Sequence, residues 1–340
     1  MYDIHYVVFM EMENGLKMKA YTYYNYGSPE VLHLEEVKRP IPEAHEVLIQ
    51  TYSLSINPSE LHKLTASFWM LRLSTGLSRP KNQILGADVA GTVISTGPNV
   101  KKFKAGDRVF GRSLYGCLAE CCCIDESALA SIPDNLSFEE AAALPLAAVT
   151  ALIALRDKGK VQSKQHVLIN GASGGIGTFA IQLGKYFGAH ITGVSSSENV
   201  DFVKSLGADQ VVDYKKQDLQ TVSTKFDLVI DLVGNRKIST LKKLLKPSGK
   251  CILVGMDSPK RLFSNMIQGK IISALGTKKV MPMDAKVTAA NLSKVAKLVS
   301  EGKIKSFVSK CYNFENVPEA FFQLATRRSK GKIIIRVDSK

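Results

Sequence analysis

Tryptophan is almost absent from these 340 residues; there is one, Trp69. Cysteine is sparse: Cys117, Cys121, Cys122, Cys123, Cys251 and Cys311. Six thiols in this length are too few for a disulfide-stapled scaffold, and three adjacent ones suit no simple set of bridges. The chain reads as one kept reduced, and a cytoplasmic protein is expected. No apolar run reaches the ~18 residues that span a bilayer, so no transmembrane segment is expected. Acidic residues are the scarcer charge, 31 against 45 Lys and Arg, for a formal +14. That excess favours anionic ligands or surfaces. The basic residues are scattered in blocks no longer than two, so a nucleic-acid-binding face is not expected. The start lacks the marks of a signal peptide: Asp3, His5, Glu11 and Glu13 flank the short apolar stretch Tyr6 to Met10, with no small-residue cleavage site. Residues 1–17 read as an extension outside the fold, with Met18 as an alternative start.

What is present is ordinary for a globular protein: 45% hydrophobic and 22% charged residues, in a length suited to two domains. From Met18 to about Leu146 the pattern is β-rich. Val47 to Ser55 alternates, Gly86 to Thr96 ends at the turn Gly97-Pro98-Asn99, and Gly106-Asp107 turns into Arg108-Val109-Phe110. Short strands punctuated by Gly and Pro predict a barrel-like β domain.

After Pro145 the pattern changes. A helix is expected over Leu146 to Leu155, then alternating strands and helices. Strands are predicted at His166–Asn170, His190–Ser195, Gln210–Asp213, Phe226–Leu232, Lys250–Val254 and Ile271–Leu275. The intervening helices are expected at Thr178–Phe187, Asn199–Leu206, Lys216–Val222, Lys237–Leu245 and Leu262–Gln268. This alternation implies an α/β fold with a doubly wound parallel sheet. Beyond Gly276, an amphipathic helix over Asp284 to Glu301, another near Val317 to Thr326 and a strand at Lys332–Val337 return to the β domain. The expected division is 18–146 with 281–340 as a discontinuous β-rich unit, and 147–280 as the doubly wound unit.

The sharpest motif is Asn170-Gly171-Ala172-Ser173-Gly174-Gly175-Ile176-Gly177, placed between a strand and a helix as a dinucleotide fingerprint requires. Ala172 replaces the first glycine, Gly174 clears the way for a pyrophosphate, and Gly177 allows close helix packing. The helix N-terminus then faces the phosphates. No lysine follows Gly177, which excludes a Walker-type loop. At the end of the second strand, where an acidic residue would select NAD, stand Ser195, Ser196 and Ser197. Their hydroxyls and that of Tyr214 favour NADP(H). Glu198 argues the other way.

The runs Leu144 to Ala151, Gly171 to Gly177 and Val203 to Asp209 closely resemble the medium-chain dehydrogenase/reductase superfamily, as do Gly86 to Gly91, Phe103 to Val109 and Leu118 to Glu120. Within it the chain resembles the zinc-independent quinone oxidoreductases, the chloroplast-envelope type included. The resemblance spans 18 to 337. It implies a GroES-like catalytic domain beside a Rossmann domain, a cleft between them, NADPH as reductant of quinones or conjugated enones, and a homodimer. It assigns Asn57 and Thr150 to the nicotinamide end, and Gly174, Gly175, Ile176 and Gly177 to the pyrophosphate. Ser195 and Ser196 with Tyr214 fall at the adenosine phosphate, Gly234, Val254 and Gly255 along the cleft, and Lys332 at a C-terminal cofactor contact.

No zinc is expected. Where zinc-dependent relatives carry a Cys, a His-Glu pair and a second Cys, this chain has Asn57-Pro58, Ala87-Asp88 and Pro145-Leu146. Consecutive residues of a strand face opposite ways, so Cys121 and Cys122 read as packing residues. Some relatives carry a tyrosine where His62 stands beside Lys63; these two are candidate catalytic residues only. The alternative reading is a cofactor-binding protein with little turnover that serves as an RNA-binding, regulatory or membrane-associated partner.

Overall fold

A computed structural model describes residues 16–255 and 257–337. Residues 1–15 of the expected extension lie outside it, and Lys17 already pairs with Lys38. That pair closes a two-stranded antiparallel ribbon, β1 (Lys17–Thr22) with β2 (His33–Lys38).

The first large sheet is built around β3 (Glu46–Ile56), an eleven-residue strand. It pairs with β4 (Asp88–Thr96), and β4 continues to β5 (Arg108–Arg112). The short β6 (Cys121–Asp125) pairs with the first half of β3, and β7 (Leu129–Ser131) closes on β5. The alternation expected of Cys121 to Cys123 is realised. Cys122 packs with Cys117, Val47 and Ile49, while Cys121 and Cys123 pack on the other face near Met18 and Leu48.

The second sheet is six-stranded and parallel: β8 (His166–Asn170), β9 (His190–Ser195), β10 (Gln210–Asp213), β11 (Phe226–Asp231), β12 (Leu245–Leu253) and β13 (Lys279–Pro282), in the order β10-β9-β8-β11-β12-β13. Val167 and Ile169 enter the core on one face and Leu168 that on the other, as a strand covered by helices on both sides requires. The order reverses between β8 and β11. In doubly wound sheets such a switch point is where ligands bind, at the carboxyl ends of the strands.

The sixth strand is not where the sequence pattern put it. Ile271 to Leu275 form the last turns of a helix, Pro259–Leu275, and Lys279–Pro282 is the strand. Ser258 caps that helix on Arg261 N, and Pro259 fits its first turn. A short β-branched apolar run does not distinguish helix from strand. Over Lys216–Val222 only a 3-10 turn forms, Leu219–Thr221, with Asp218 accepting from Gln220 N.

The chain then returns. The helix Ala289–Ser300 packs Leu292, Val295 and Leu298 into the main core. β14 (Val308–Asn313) and β15 (Lys332–Arg336) join the first sheet, with β15 inserted between β14 and β3. The fold is mixed α/β, a doubly wound parallel sheet beside a discontinuous β-rich unit.

Candidate functional site

The glycine turn follows β8 and opens the helix Gly175–Tyr186. A Cβ on Gly174 would have only Gly171 O nearby, at 3.5 Å, so the turn presents open backbone there. A Cβ on Gly177 would strike Gly171 O at 2.3 Å, so Gly177 is needed for packing. Gly175 lies under the Lys332 side chain, its Cβ position 2.8 Å from Lys332 Cδ. Gly331 N donates to Ser173 O at 2.9 Å, tying the turn to the returning strand.

Lys332 runs on from Gly175 into a buried polar cluster. Its ammonium donates to Asn57 Oδ1 and to Ile56 O (3.3 Å), and lies 3.9 Å from Asp88 Oδ2. Asn57 Nδ2 donates to Asp88 Oδ2 at 3.0 Å and to Glu60 Oε1 at 3.4 Å. Both amide protons of Asn57 are therefore committed, and what it offers a ligand is a lone pair on Oδ1. Ser55 Oγ and Leu146 N also donate to Asp88 Oδ2, each at 3.3 Å. Arg112, the cross-strand partner of Asp88, brings Nε to 3.6 Å of Asp88 Oδ1. Glu60, Asp88 and Lys332 are buried. Burial, and then the Asp88 charge, raise the Glu60 pKa, while burial lowers that of Lys332.

The three stretches that hold zinc ligands in the zinc-dependent relatives thus meet on one carboxylate. They bring an amide, a methyl and a backbone N–H, beside an ammonium that repels a dication. This donor set does not fit zinc. Among the described residues no group of three His, Cys, Asp or Glu is placed to hold a metal.

At the switch point, Asn170 ends β8 and Asp231 ends β11. Asn170 Nδ2 donates to Asp231 Oδ1 at 2.8 Å, and Gly234 N to the same oxygen at 3.0 Å. Val254 N and Gly255 N donate to Asp231 O, which brings the residues expected along the cleft to this switch point. Thr150 Oγ1 is buried in the helix Pro145–Leu152 and has no partner among the described residues. A buried hydroxyl in that state calls for a ligand group. The open Gly174 and this orphaned hydroxyl fit the dinucleotide the motif implies.

At the far end of the turn the serines differ. Ser195 is buried and donates to Ser196 O, and Ser197 donates to Asp213 at 2.6 Å. Ser196 Oγ accepts from Asn199 Nδ2, which also reaches Ser173 Oγ, each at 3.2 Å. Tyr214 N donates to Ser195 O, and its ring is half exposed. Glu198 is ion-paired with Lys215, whose hydrogen bond holds its carboxyl down at about 2. Lys330 Nζ bonds Glu198 O at 3.2 Å, and Arg328 acts on the Lys215 charge. Arg328 and Lys330 also line an open cavity of about 470 Å³ with Phe202 and Phe307.

His62 and Lys63 do not join the Asn57 cluster. His62 lies against Phe68, ring centroids 5.3 Å apart, with Nδ1 on Ser67 Oγ at 3.2 Å; burial lowers its pKa. Lys63 Nζ donates to Leu114 O at 2.7 Å over the Tyr115 ring.

Sequence reasoning missed Glu60, Arg112, Lys215, Arg328 and Lys330. Glu60 was readable: Asn57-Pro58-Ser59-Glu60 has capping-box spacing, and Glu60 Oε2 accepts from Asn57 N at 3.0 Å. Arg112 had no local signal, because the β4–β5 register delivers it.

Residues 43–134 match the family described as alcohol dehydrogenase GroES-like domain, and 206–335 the one described as zinc-binding dehydrogenase. A 2-methylene-furan-3-one reductase of Solanum lycopersicum is 34% identical over 94% of this chain and 79% of its own length. A chloroplast envelope quinone oxidoreductase homolog of Arabidopsis thaliana is 32% identical over 94% of this chain and 99% of its own. An NADPH-dependent alkenal/one oxidoreductase of that plant is also 32% identical, over 94% and 79%. The solved quinone oxidoreductase of Coxiella burnetii superposes with a TM-score of 0.84 at 29% identity, covering 95% of this chain and 100% of that one.

Proposed function

This chain belongs to the medium-chain dehydrogenase/reductase superfamily, among its zinc-independent quinone oxidoreductase-like members, and on that premise we propose an NADPH-dependent reductase. It is an oxidoreductase that passes hydride to a quinone or an α,β-unsaturated carbonyl. The observation that carries the reading is made at Lys332. Its methylenes lie on Gly175 of the dinucleotide turn and its ammonium in the buried polar cluster around Asn57, which supports reading cradle and pocket as one site.

Bound NADPH supplies the hydride from C4 of its nicotinamide. Gly174, Gly175, Ile176 and Gly177 hold the pyrophosphate on backbone amides and the helix N-terminus. Thr150 and the free lone pair of Asn57 Oδ1 orient the nicotinamide end, and Gly234, Val254 and Gly255 line the crevice beside it. Ser196 and Tyr214 meet the adenosine phosphate. NADPH is preferred because Lys215 neutralises Glu198, while Arg328 and Lys330 add positive charge. Position and a dry cleft are the protein's main contribution. Water protonates the reduced oxygen, and neither His62 nor Lys63 is assigned a proton-transfer step.

A homodimer belongs to the same proposal. β13 is an edge strand, and Phe263, Ile267, Ile271 and Leu275, spaced by four, are exposed on the helix beside it. Six free thiols suit a reducing compartment such as the cytoplasm. Among the described residues no helix is long and apolar enough to cross a membrane.

The test is a panel of quinones and α,β-unsaturated carbonyls with NADPH and NADH, run in chelator, with light scattering for the assembly. Turnover with NADPH is expected. Equal turnover with NADH refutes the cofactor assignment. Salt-dependent RNA binding without turnover on any acceptor refutes the enzyme.

A further inference from the structure

Residues 61–87 carry Lys63, Arg72, Arg79 and Lys81 and not one Asp or Glu. Within them lies the seven-residue helix Trp69–Thr75. Trp69 is 72% exposed, Leu73 60% and Leu77, just past the helix, 70%; Met70 is exposed with them. Residues 69, 70 and 73 share one side of the helix. Single exposed apolar residues need no explanation, but such a cluster does.

The backbone beneath the cluster is tied down. Tyr26 OH donates to Gly76 O at 2.7 Å and bonds Thr75 Oγ1 at 2.8 Å. The Arg72 guanidinium lies 5.0 Å from the Tyr26 ring centroid, and Lys81 N donates to Thr75 O at 2.8 Å. A built platform therefore holds a tryptophan and three aliphatic side chains in water, on a segment that carries cations and no acidic residue.

That chemistry fits one occupant. Tryptophan is enriched at membrane–water interfaces, and an apolar face bordered by Arg and Lys binds where lipid headgroups are anionic. We propose that residues 67–81 dock this protein on an anionic bilayer surface. Trp69, Met70, Leu73 and Leu77 enter the headgroup boundary, and Arg72, Arg79 and Lys81 meet lipid phosphates. The docking goes beyond the proposed reaction and stands without it.

Trp69 is a built-in reporter, because the chain has no other tryptophan. The full chain is mixed with vesicles of phosphatidylcholine plus phosphatidylglycerol, or of phosphatidylcholine alone. The expected result is a blue-shifted Trp69 emission and co-sedimentation with the anionic vesicles, both reversed by high salt. Arg79→Gln/Lys81→Gln should weaken binding roughly 25-fold, at roughly fivefold per basic residue. Leu73→Ser/Leu77→Ser should abolish the blue shift. Both variants should keep the parent's dinucleotide affinity and circular dichroism, which separates docking from the fold and from the reaction. No binding to anionic vesicles, or binding indifferent to both variants, overturns the proposal. So does a blue shift produced without vesicles, by cofactor and acceptor (a lid) or by rising protein concentration (a second copy or another protein surface).

Discussion

Replacing Lys332 by Met tests whether the chain supplies the cation at the heart of the site. Methionine keeps an unbranched apolar stem beside Gly175 and removes the ammonium. The variant leaves Glu60 and Asp88 buried with Arg112 as their remaining cation, and strips Asn57 Oδ1 and Ile56 O of a donor. At 3.9 Å the attraction between Lys332 and Asp88 is about 4 kcal/mol for an effective dielectric of ~20. Breaking a buried pair by removing one partner costs about 3–5 kcal/mol, which agrees. Thermal unfolding at pH 8 should fall by about 4–7 °C. The deficit should shrink on acidification. Burial and Asp88 already raise the Glu60 pKa, and losing Lys332 raises it further. A carboxyl whose folded-state pKa lies above its unfolded one takes up a proton on folding, so stability rises as pH falls through the folded value. The window starts at the ordinary carboxylate value of 4.5 and extends upward, further in the variant than in the parent. Glu60→Gln combined with Lys332→Met should cost less than the sum of the two. A deficit below about 1 kcal/mol, or one identical at pH 5 and pH 8, would refute the assignment of Lys332 as the buried counter-ion.

Gly174→Val should fold normally and lose NADPH affinity steeply, whereas Gly177→Ala should lower the unfolding temperature, because its Cβ strikes Gly171 O; calorimetric titration and thermal melts separate the two. Lys215→Met leaves Glu198 unpaired and should weaken NADPH roughly tenfold or more while changing NADH little; parallel dissociation constants decide it, and an equal loss for both removes Lys215 from the phosphate end. Elemental analysis should find no stoichiometric zinc, and activity should survive chelator; one zinc per chain lost together with activity sinks that expectation. Burial pushes the Cys121 thiol up to about 11 and Cys123 to about 12, and Cys122 and Cys251 are raised as well, so a disulfide reagent at pH 8 should titrate exposed Cys311 quickly and the others only on unfolding. Two or more fast thiols would contradict the packing described for β6.

The doubly wound sheet was legible because its local signals agree: apolar β8, then a glycine turn, then a helix, with Gly188 and Gly207 in positive φ after two of the helices. The sixth strand was misplaced because Ile271 and Ile272 favour a strand locally, while capping by Ser258 and packing of Gly269 against Val280 carry the helix to Leu275. At the site, the residues in one continuous motif were legible. Those delivered by tertiary register were not: Arg112 arrives through its pairing with Asp88, and Lys330 reaches Glu198 across 132 residues of chain. Lys332 was legible as a position, but nothing local says that its ammonium turns inward to Asn57.

The inward turn of Lys332 fixes how substrate can be activated. An ammonium has three protons; here one goes to Asn57 and one to Ile56 O, and Asp88 lies 3.9 Å away as its ion-pair partner. The cation is held within the cluster by these partners. A metal in the same place is loaded after folding, competes with other metals and keeps a coordination position open for an oxygen. A lysine is present once per chain as soon as the chain folds, cannot be exchanged and has no coordination sphere to bind an oxygen as a Lewis acid does. Polarisation of the acceptor therefore falls to neutral hydrogen-bond donors. Under the proposed reaction, such a site favours acceptors already electron-poor enough to take hydride without a Lewis acid over simple ketones and alcohols.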